Sequence, residues 1–277
     1  MSNRDHFHSS EPAGTPPRGL HRELHVLISA VGFFSRIPVP HSMAHDGSLL
    51  DSATRYLPLV GLVVGAMSAA VYWGAALALP VPVAVVLSMG AAVLLTGAFH
   101  EDGLTDTADG FGGGWTVERK LEIMKDSRIG TYGAVTLLLS MLLRYSLLVS
   151  LAGRASIAEM VSVIVAVHVG ARLGPVVVMV ALRYVRLDET SKVKPVAKAI
   201  SPASVLVAVV LATGLTVAAG GVPALLPLAV VPPVAVLCAL FFRRHIGGYT
   251  GDTLGACEQI CELALLTAAL VAVSGGA

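Results

Sequence analysis

Long apolar runs separated by short polar stretches dominate the chain from residue 56 onward. A helix needs about 20 mainly apolar residues to cross a bilayer, and that length recurs along the sequence. The segments that fit, the last of them less well, are Tyr56–Leu79, Val81–Phe99, Tyr132–Leu151, Ile157–Leu182, Ala203–Ala219, Val222–Phe242 and Leu263–Val273. The pattern predicts an all-α fold, a polytopic transmembrane helical bundle of about seven spans.

Two segments before the first span differ from it. Leu24–Ile37 is apolar but short, is broken by Arg36 and is followed by Pro38, so we expect a short interfacial or re-entrant helix; an eighth full span is the alternative. Residues 1–19 mix Ser, Pro, Gly, His and charged residues with little apolar surface, which predicts a disordered cytoplasmic tail. Residues 20–277 would then form a single integral-membrane domain.

Composition and loop charge support this organisation. Charged residues make up 13% of the chain and hydrophobic ones 55%, whereas soluble domains contain roughly 25% charged residues. Lys and Arg gather before the first span and after the second, fourth and sixth, which predicts that these loops are cytoplasmic. The net charge of only +1 gives no basic field for nucleic acid, so we expect no nucleic-acid partner.

An acidic cluster follows the second predicted span. Four carboxylates, Glu101, Asp102, Asp106 and Asp109, come within nine residues, next to His100. If the helix of the second span continues through them, the three aspartates lie at i, i+4 and i+7 and share a face. Clustered hard oxygen ligands are typical of Mg²⁺ or Mn²⁺ sites; the alternative is a solvated acidic loop. His100 is equally a general base, a substrate contact or an interfacial histidine.

Two further polar segments are predicted on the same membrane face. Lys125 and Arg128 stand just before the third span, where they could hold phosphate oxygens at a helix N-terminus; a simple positive-inside boundary is the alternative. Asp252 lies in a Gly- and Thr-rich turn between the sixth and seventh spans. It could complete a metal shell, bind a ribose hydroxyl or belong to a plain turn.

Three ionisable residues fall inside predicted spans, where such groups are costly. They are Arg144 in the third span and His168 and Arg172 in the fourth. Structural pairing inside the bundle is the favoured interpretation of Arg144 and His168. For Arg172, pairing and substrate binding are equally supported.

The order of these motifs resembles the cobalamin synthase (adenosylcobinamide-GDP ribazoletransferase) family. The matching segments are His100–Leu104, Asp106, Asp109-Gly110, Lys125–Gly130 and Gly248–Asp252, together with Phe33–Pro38 and Tyr56–Gly61. The resemblance therefore covers nearly the whole chain after the tail. Thr105 and Tyr249 depart from the family pattern, but neither position supplies a carboxylate.

The resemblance implies a Mg²⁺-dependent transferase, with Mn²⁺ as a substitute, in the bacterial cytoplasmic (inner) membrane and with its active site facing the cytoplasm. It would join adenosylcobinamide-GDP to α-ribazole or its 5′-phosphate and release GMP; a homo-oligomer is a further candidate partner. The implied metal ligands are Asp102, Asp106 and Asp109, with Asp252 as a fourth. The implied substrate contacts are Lys125 and Arg128 for the pyrophosphate, Arg172, and His100 as base or positioning group.

Two alternative functions fit a membrane protein with clustered acids. CDP-alcohol phosphotransferases of phospholipid synthesis also use aspartates at a membrane boundary, but their pattern has an Ala-Arg pair that does not follow Asp102-Gly103 here. An ion-coupled transporter would place acids at the bilayer midplane and would show an internal repeat. Neither feature is evident in the sequence.

Overall fold

The computed structural model describes residues 19–40, 52–186 and 200–275. The tail predicted for residues 1–19 lies outside them, apart from its last residue. Within these ranges the chain is helical, and the strand-type pairing is limited to one isolated parallel bridge between Tyr184 and Tyr249. The predicted all-α architecture is confirmed.

The helices are α1 (Leu20–Phe34), α2 (Leu57–Ala76), α3 (Val81–Thr96), α4 (Phe99–Gly113), α5 (Val117–Ile123), α6 (Thr131–Ala152), α7 (Ile157–Ala171), α8 (Leu173–Ala181), α9 (Pro202–Gly220), α10 (Leu225–Leu228), α11 (Val231–Ile246) and α12 (Gly251–Gly275). Short 3₁₀ turns at Thr54–Tyr56 and Val222–Ala224 precede α2 and α10.

The number of spans agrees with the prediction. Among the described residues, 6 helical segments are long and apolar enough to cross a membrane, or 7 if α3 and α4 count as one bent span. The weak seventh prediction, Leu263–Val273, was wrong in its start, because α12 begins at Gly251. The polar residues Glu258, Gln259 and Glu262 lie inside this helix and are buried within the bundle. They therefore do not mark the start of the span.

Helix α1 is the short N-terminal helix that the sequence predicts. Its 15 residues measure about 22 Å at 1.5 Å per residue, too little to cross a hydrocarbon core of about 30 Å. It starts four residues earlier than expected and ends where Ser35 becomes extended. The backbone N–H of Arg36 then donates to the Leu95 carbonyl at 2.7 Å, which ties this segment to the end of α3.

The helix of the second predicted span does not continue through the acidic cluster; its three aspartates lie on a separate helix, α4, and keep their i, i+4 and i+7 spacing there. Gly97 and Ala98 have φ angles of 66° and 60°, in the left-handed region that ends helices. The chain turns there, and α4 makes an angle of 85° with α3. The acidic cluster therefore has a helix of its own.

Close helix packing surrounds α4 and sets its position. The span formed by α7 and α8 is the most buried, at 72%, and it packs against α2 at Gly61 and Gly65. A Cβ atom on Gly65 would lie 3.0 Å from the Cα of Val165, so the small size of these glycines allows the two helices to approach closely. Helix α4 itself lies between α6 and α12.

Candidate active site

Three aspartates meet where α4 packs against the start of α12. Gly103 makes this contact possible, because a Cβ atom at that position would lie 2.7 Å from the carbonyl oxygen of Asp252. Asp106 feels the negative charges of Asp102 and Asp252 and the positive charge of Arg186. Arg186 donates to the Asp252 carboxylate at 2.8 Å. We call Asp102, Asp106, Asp252 and Arg186 the acidic face.

Local hydrogen bonds hold Asp252 and Arg186 in place. The backbone N–H of Thr250 donates to Thr253 Oγ1 at 2.8 Å, and the N–H of Thr253 donates to Thr250 Oγ1 at 3.3 Å, so the two threonines cap the start of α12. The backbone of Tyr249 also pairs with Arg183 and Val185 at 2.9 and 3.0 Å. This pairing brings the segment that carries Arg186 alongside the turn that carries Asp252.

Asp109 lies on the same helix but has a different environment. Its carboxylate accepts hydrogen bonds from the backbone N–H groups of Gly130 and Gly133, at 2.7 and 2.8 Å. These groups are at the N-terminus of α6, where a negative charge is stabilised. Asp109 is buried, whereas Asp106 is half-buried and Asp102 is exposed. Both oxygens of Asp109 thus serve as a cap, and its predicted role as a metal ligand stays a prediction.

The predicted phosphate-binding residues lie on the loop that leads into α6. Arg128 is exposed and forms a bidentate pair with Asp126, with N–O distances of 2.5 and 3.0 Å. These hydrogen bonds lower the pKa of Asp126 to about 2. Lys125 is also exposed. Both basic residues lie within five positions of Gly130, which Asp109 contacts, so they share the end of the molecule that holds the acidic face.

A second polar cluster is buried among the spans. Arg144 on α6 donates to Gln259 at 2.8 Å and pairs with Glu262 at 2.9 Å and Glu101 at 3.6 Å. Gln259 also donates to Glu101 at 3.4 Å. Glu101, the first carboxylate of the acidic stretch, is therefore a partner of Arg144 and points away from the acidic face.

His168 and Arg172 complete this buried network. Nδ1 of His168 lies 3.7 Å from Glu262, and Arg172 pairs with Glu258. This is the pairing inside the bundle that the sequence favoured for Arg144 and His168. Arg172 belongs to the same network and also lines a pocket. Its pairing inside the bundle is therefore observed, and its role in substrate binding stays a prediction.

His100 is buried at the start of α4, with its ring edge-on to Phe99 at 5.4 Å. It lines an aromatic pocket together with Arg172. The structure thus places His100 behind the acidic face, with its predicted role as base or substrate contact untested.

The sequence did not indicate four residues that shape the site: Arg186, Glu258, Gln259 and Glu262. Arg186 was counted only as a basic loop residue. A usable signal for the two glutamates was their i, i+4 spacing in an apolar segment. The arginines Arg144 and Arg172 in other spans need buried counter-charges, and these glutamates could supply them.

The acidic face suits a hard divalent cation by its chemistry. In the described part of the chain, no three His, Cys, Asp or Glu side chains are already arranged around one point. Mg²⁺, however, is commonly held by one or two carboxylates, with substrate phosphates and water as its other ligands. A pair drawn from Asp102, Asp106 and Asp252 meets that requirement.

The sequence model of the family described as Cobalamin-5-phosphate synthase matches residues 26–270. The chain is similar to the adenosylcobinamide-GDP ribazoletransferase of Shewanella frigidimarina, with 48% identity over 242 residues, 87% of this chain and 92% of that protein. It is 46% identical to the protein of the same name from Shewanella putrefaciens over 243 residues, 88% of this chain and 92% of that one. No solved structure matches the chain.

Proposed function

The chain belongs to the cobalamin-5-phosphate synthase family, and on that premise we propose that it is a membrane-embedded adenosylcobinamide-GDP ribazoletransferase. It joins adenosylcobinamide-GDP to α-ribazole or its 5′-phosphate and releases GMP. The observation that carries this proposal is the 48% identity over 87% of the chain to a protein of that name. The acidic face gives the reaction a location, at the end of the bundle where α4 and α12 meet.

The reaction is a substitution at phosphorus. A ribose hydroxyl of α-ribazole attacks the phosphorus that carries the cobinamide, the bond from this phosphorus to the GMP oxygen breaks, and the hydroxyl proton is lost. Negative charge grows on the departing GMP. Arg186, whose side chain is 22% exposed beside Asp252, and the exposed Lys125 and Arg128 are the cations of this chain that would bind the phosphates.

We assign the metal to the acidic face. A Mg²⁺ ion held there would supply positive charge against the pyrophosphate, and Mn²⁺ prefers the same oxygen ligands. Asp102, Asp106 and Asp252 would hold it, since they approach one another around Gly103. Asp109 fixes the end of α4 against α6 and contributes to the site mainly by positioning the other aspartates.

The proposed orientation puts the acidic face in the cytoplasm of a bacterium, with the chain in the inner membrane. Loop charge supports it, because the basic residues flank the same end of the bundle as the acidic face. Arg186 contacts Asp252, and the Lys120 ammonium donates to the His245 carbonyl at 3.4 Å, next to Arg243 and Arg244. Lys and Arg are enriched in cytoplasmic loops.

The test uses full-length protein purified in detergent, with adenosylcobinamide-GDP, α-ribazole and Mg²⁺, and measures GMP release. Asp106→Asn should abolish release, whereas Glu122→Gln, which changes an exposed acid on α5, should leave the rate unchanged. GMP release by Asp106→Asn at the wild-type rate would exclude the assignment of the metal to this face. Light scattering of the same preparation reports whether copies of the chain associate.

The two alternative functions predict different products. A CDP-alcohol phosphotransferase would release CMP from a CDP-activated lipid, and a transporter would give ion flux in proteoliposomes. Wild-type protein that releases no GMP with any divalent ion but shows one of these activities would overturn the proposed function.

A further inference from the structure

An aromatic-walled pocket lies directly behind the acidic face. Phe33, Phe34 and Phe99 form one wall, with ring centroids 4.8–5.9 Å apart and edge-on geometry. Tyr184 and Tyr249 form the other wall, with centroids 5.5 Å apart. These rings give the pocket an aromatic lining, which suits an aromatic guest.

The lining of the pocket includes chain neighbours of the acidic face. Gly251 and Gly255 on α12 line it, and Asp252 of the acidic face stands between them in the chain. His100 lines it from the start of α4, two residues before Asp102. The pocket lining therefore adjoins both helices that carry the aspartates of the acidic face.

The size of the pocket restricts its guest. Its volume is about 140 Å³, of the order of the roughly 150 Å³ of an apolar cavity that binds a small aromatic molecule. A corrin macrocycle is far larger and cannot enter. A single flat ring system can enter, with its substituents at the mouth.

Arg172, which can only donate hydrogen bonds, is one of the polar residues that line the pocket. Arg172 is buried and pairs with Glu258 through Nη1, while its Nε–H has no hydrogen-bond acceptor among the described residues. His100 is also buried beside it. A buried donor without a partner costs free energy, so a guest with a ring nitrogen that accepts a hydrogen bond is favoured.

These properties discriminate between the aromatic groups of the two substrates. Guanine presents several N–H donors along one edge, and a carboxylate is the side chain that best accepts them. No Asp, Glu, Asn or Gln is found among the described residues that line the pocket. A benzimidazole is mostly hydrocarbon and has one bare ring nitrogen, which accepts a hydrogen bond.

We propose, on the basis of the proposed function, that this pocket binds the benzimidazole base of α-ribazole, with the bare ring nitrogen at the Arg172–His100 end. The aromatic walls hold the ring, and the attached ribose projects toward Asp102 and Asp252. The pocket thereby selects the nucleoside that attacks and aligns its hydroxyl with the acidic face. The nucleotide-activated corrinoid binds outside it.

The test fills the pocket with an indole. Met179 lines the pocket and is 7% exposed, so Met179→Trp should raise the KM for α-ribazole at least tenfold and leave the KM for adenosylcobinamide-GDP within twofold. The matched control is Met67→Trp, which makes the same change on the outer surface of α2, where the side chain is 51% exposed. That control should match the wild type in both constants.

A binding measurement without turnover complements the kinetics. Free 5,6-dimethylbenzimidazole should bind the wild-type protein in equilibrium dialysis, without metal or corrinoid, and should compete with α-ribazole but not with adenosylcobinamide-GDP. Met179→Trp should lose this binding.

The results separate the pocket from the reaction. The pocket proposal is overturned if a well-folded Met179→Trp keeps its KM for α-ribazole, if the KM for the corrinoid rises instead, or if the free base does not bind the wild type. Lack of GMP release by wild-type protein that still binds the base would instead overturn the proposed function.

Discussion

Replacing Asp109 should reduce stability more than it affects metal binding. The carboxylate accepts two backbone hydrogen bonds at 2.7 and 2.8 Å and is 8% exposed. Bonds to a charged acceptor contribute about 1.5–3 kcal/mol each, and loss of a helix cap costs about 0.5–2 kcal/mol. The two hydrogen bonds are themselves the helix cap, so the two figures describe the same interaction and are not added. We therefore expect Asp109→Ala to lower the free energy of unfolding by about 2–4 kcal/mol. Asp109→Asn should lose about half as much, because the amide keeps one acceptor oxygen.

Thermal unfolding of the detergent-solubilised protein, followed by circular dichroism at a fixed scan rate, measures this loss. At about 2–4 °C per kcal/mol for proteins of this size class, the apparent midpoint of Asp109→Ala should fall by roughly 5–15 °C. The control is Asp102→Asn, an exposed position on the same helix, which should melt like the wild type. In that control the Mg²⁺ concentration for half-maximal GMP release should rise.

The two interpretations of Asp109 give opposite patterns. A cap loses thermal stability while the Mg²⁺ requirement of the remaining folded protein stays near that of the wild type. If Asp109→Asn melts like the wild type and needs much more Mg²⁺, Asp109 is a metal ligand and our account of its role as a cap is refuted.

Three further changes test other parts of the structure. Gly103→Ala should lower GMP release at least tenfold with unchanged helicity by circular dichroism, because the new Cβ would lie 2.7 Å from the backbone of α12. Arg144→Met should destabilise the protein by about 3–5 kcal/mol, since it leaves buried carboxylates unpaired, and adding Glu262→Gln should recover part of that loss in a double-mutant cycle. The pKa of Asp126 is lowered to about 2, so its interaction with the neighbouring arginine is complete above the unfolded value near 4 and is lost only as the pH falls through about 2. Asp126→Asn should therefore leave the shape of the pH–rate profile unchanged between about pH 5 and 8.

The lengths of the hydrophobic runs predict most of the fold. The predicted span Ile157–Leu182 differs by one residue from the observed segment Ile157–Ala181, because apolar length is what the bilayer requires. The start of α12 escaped the prediction because Glu258 and Glu262 interrupt the apolar run before Leu263. Their partners, Arg172 and Arg144, come from other helices, and the sequence does not show which helices meet.

The break before α4 was missed for a related reason. Gly97 carries a local signal, since glycine commonly adopts the left-handed conformation at a helix end. Ala98 also has a positive φ, which is unusual for a residue with a side chain. The turn lets α4 pack between α6 and α12, and such packing between distant helices is not visible in the local sequence pattern.

Burial separates the carboxylates of α4 into two kinds that the sequence treats alike. Glu101 and Asp109, eight residues and hence about 12 Å apart along the helix, are both buried, at 7% and 8% exposure. The first is tied to Arg144 within the bundle and the second to the N-terminus of α6. Each of these two tethers holds one end of α4 against a neighbouring part of the bundle, and together they fix the direction of the helix. Asp102 and Asp106 lie between the tethers and keep access to solvent. The acidic stretch therefore combines two carboxylates that anchor the helix with two that stay accessible to solvent, which are the two we propose as metal ligands.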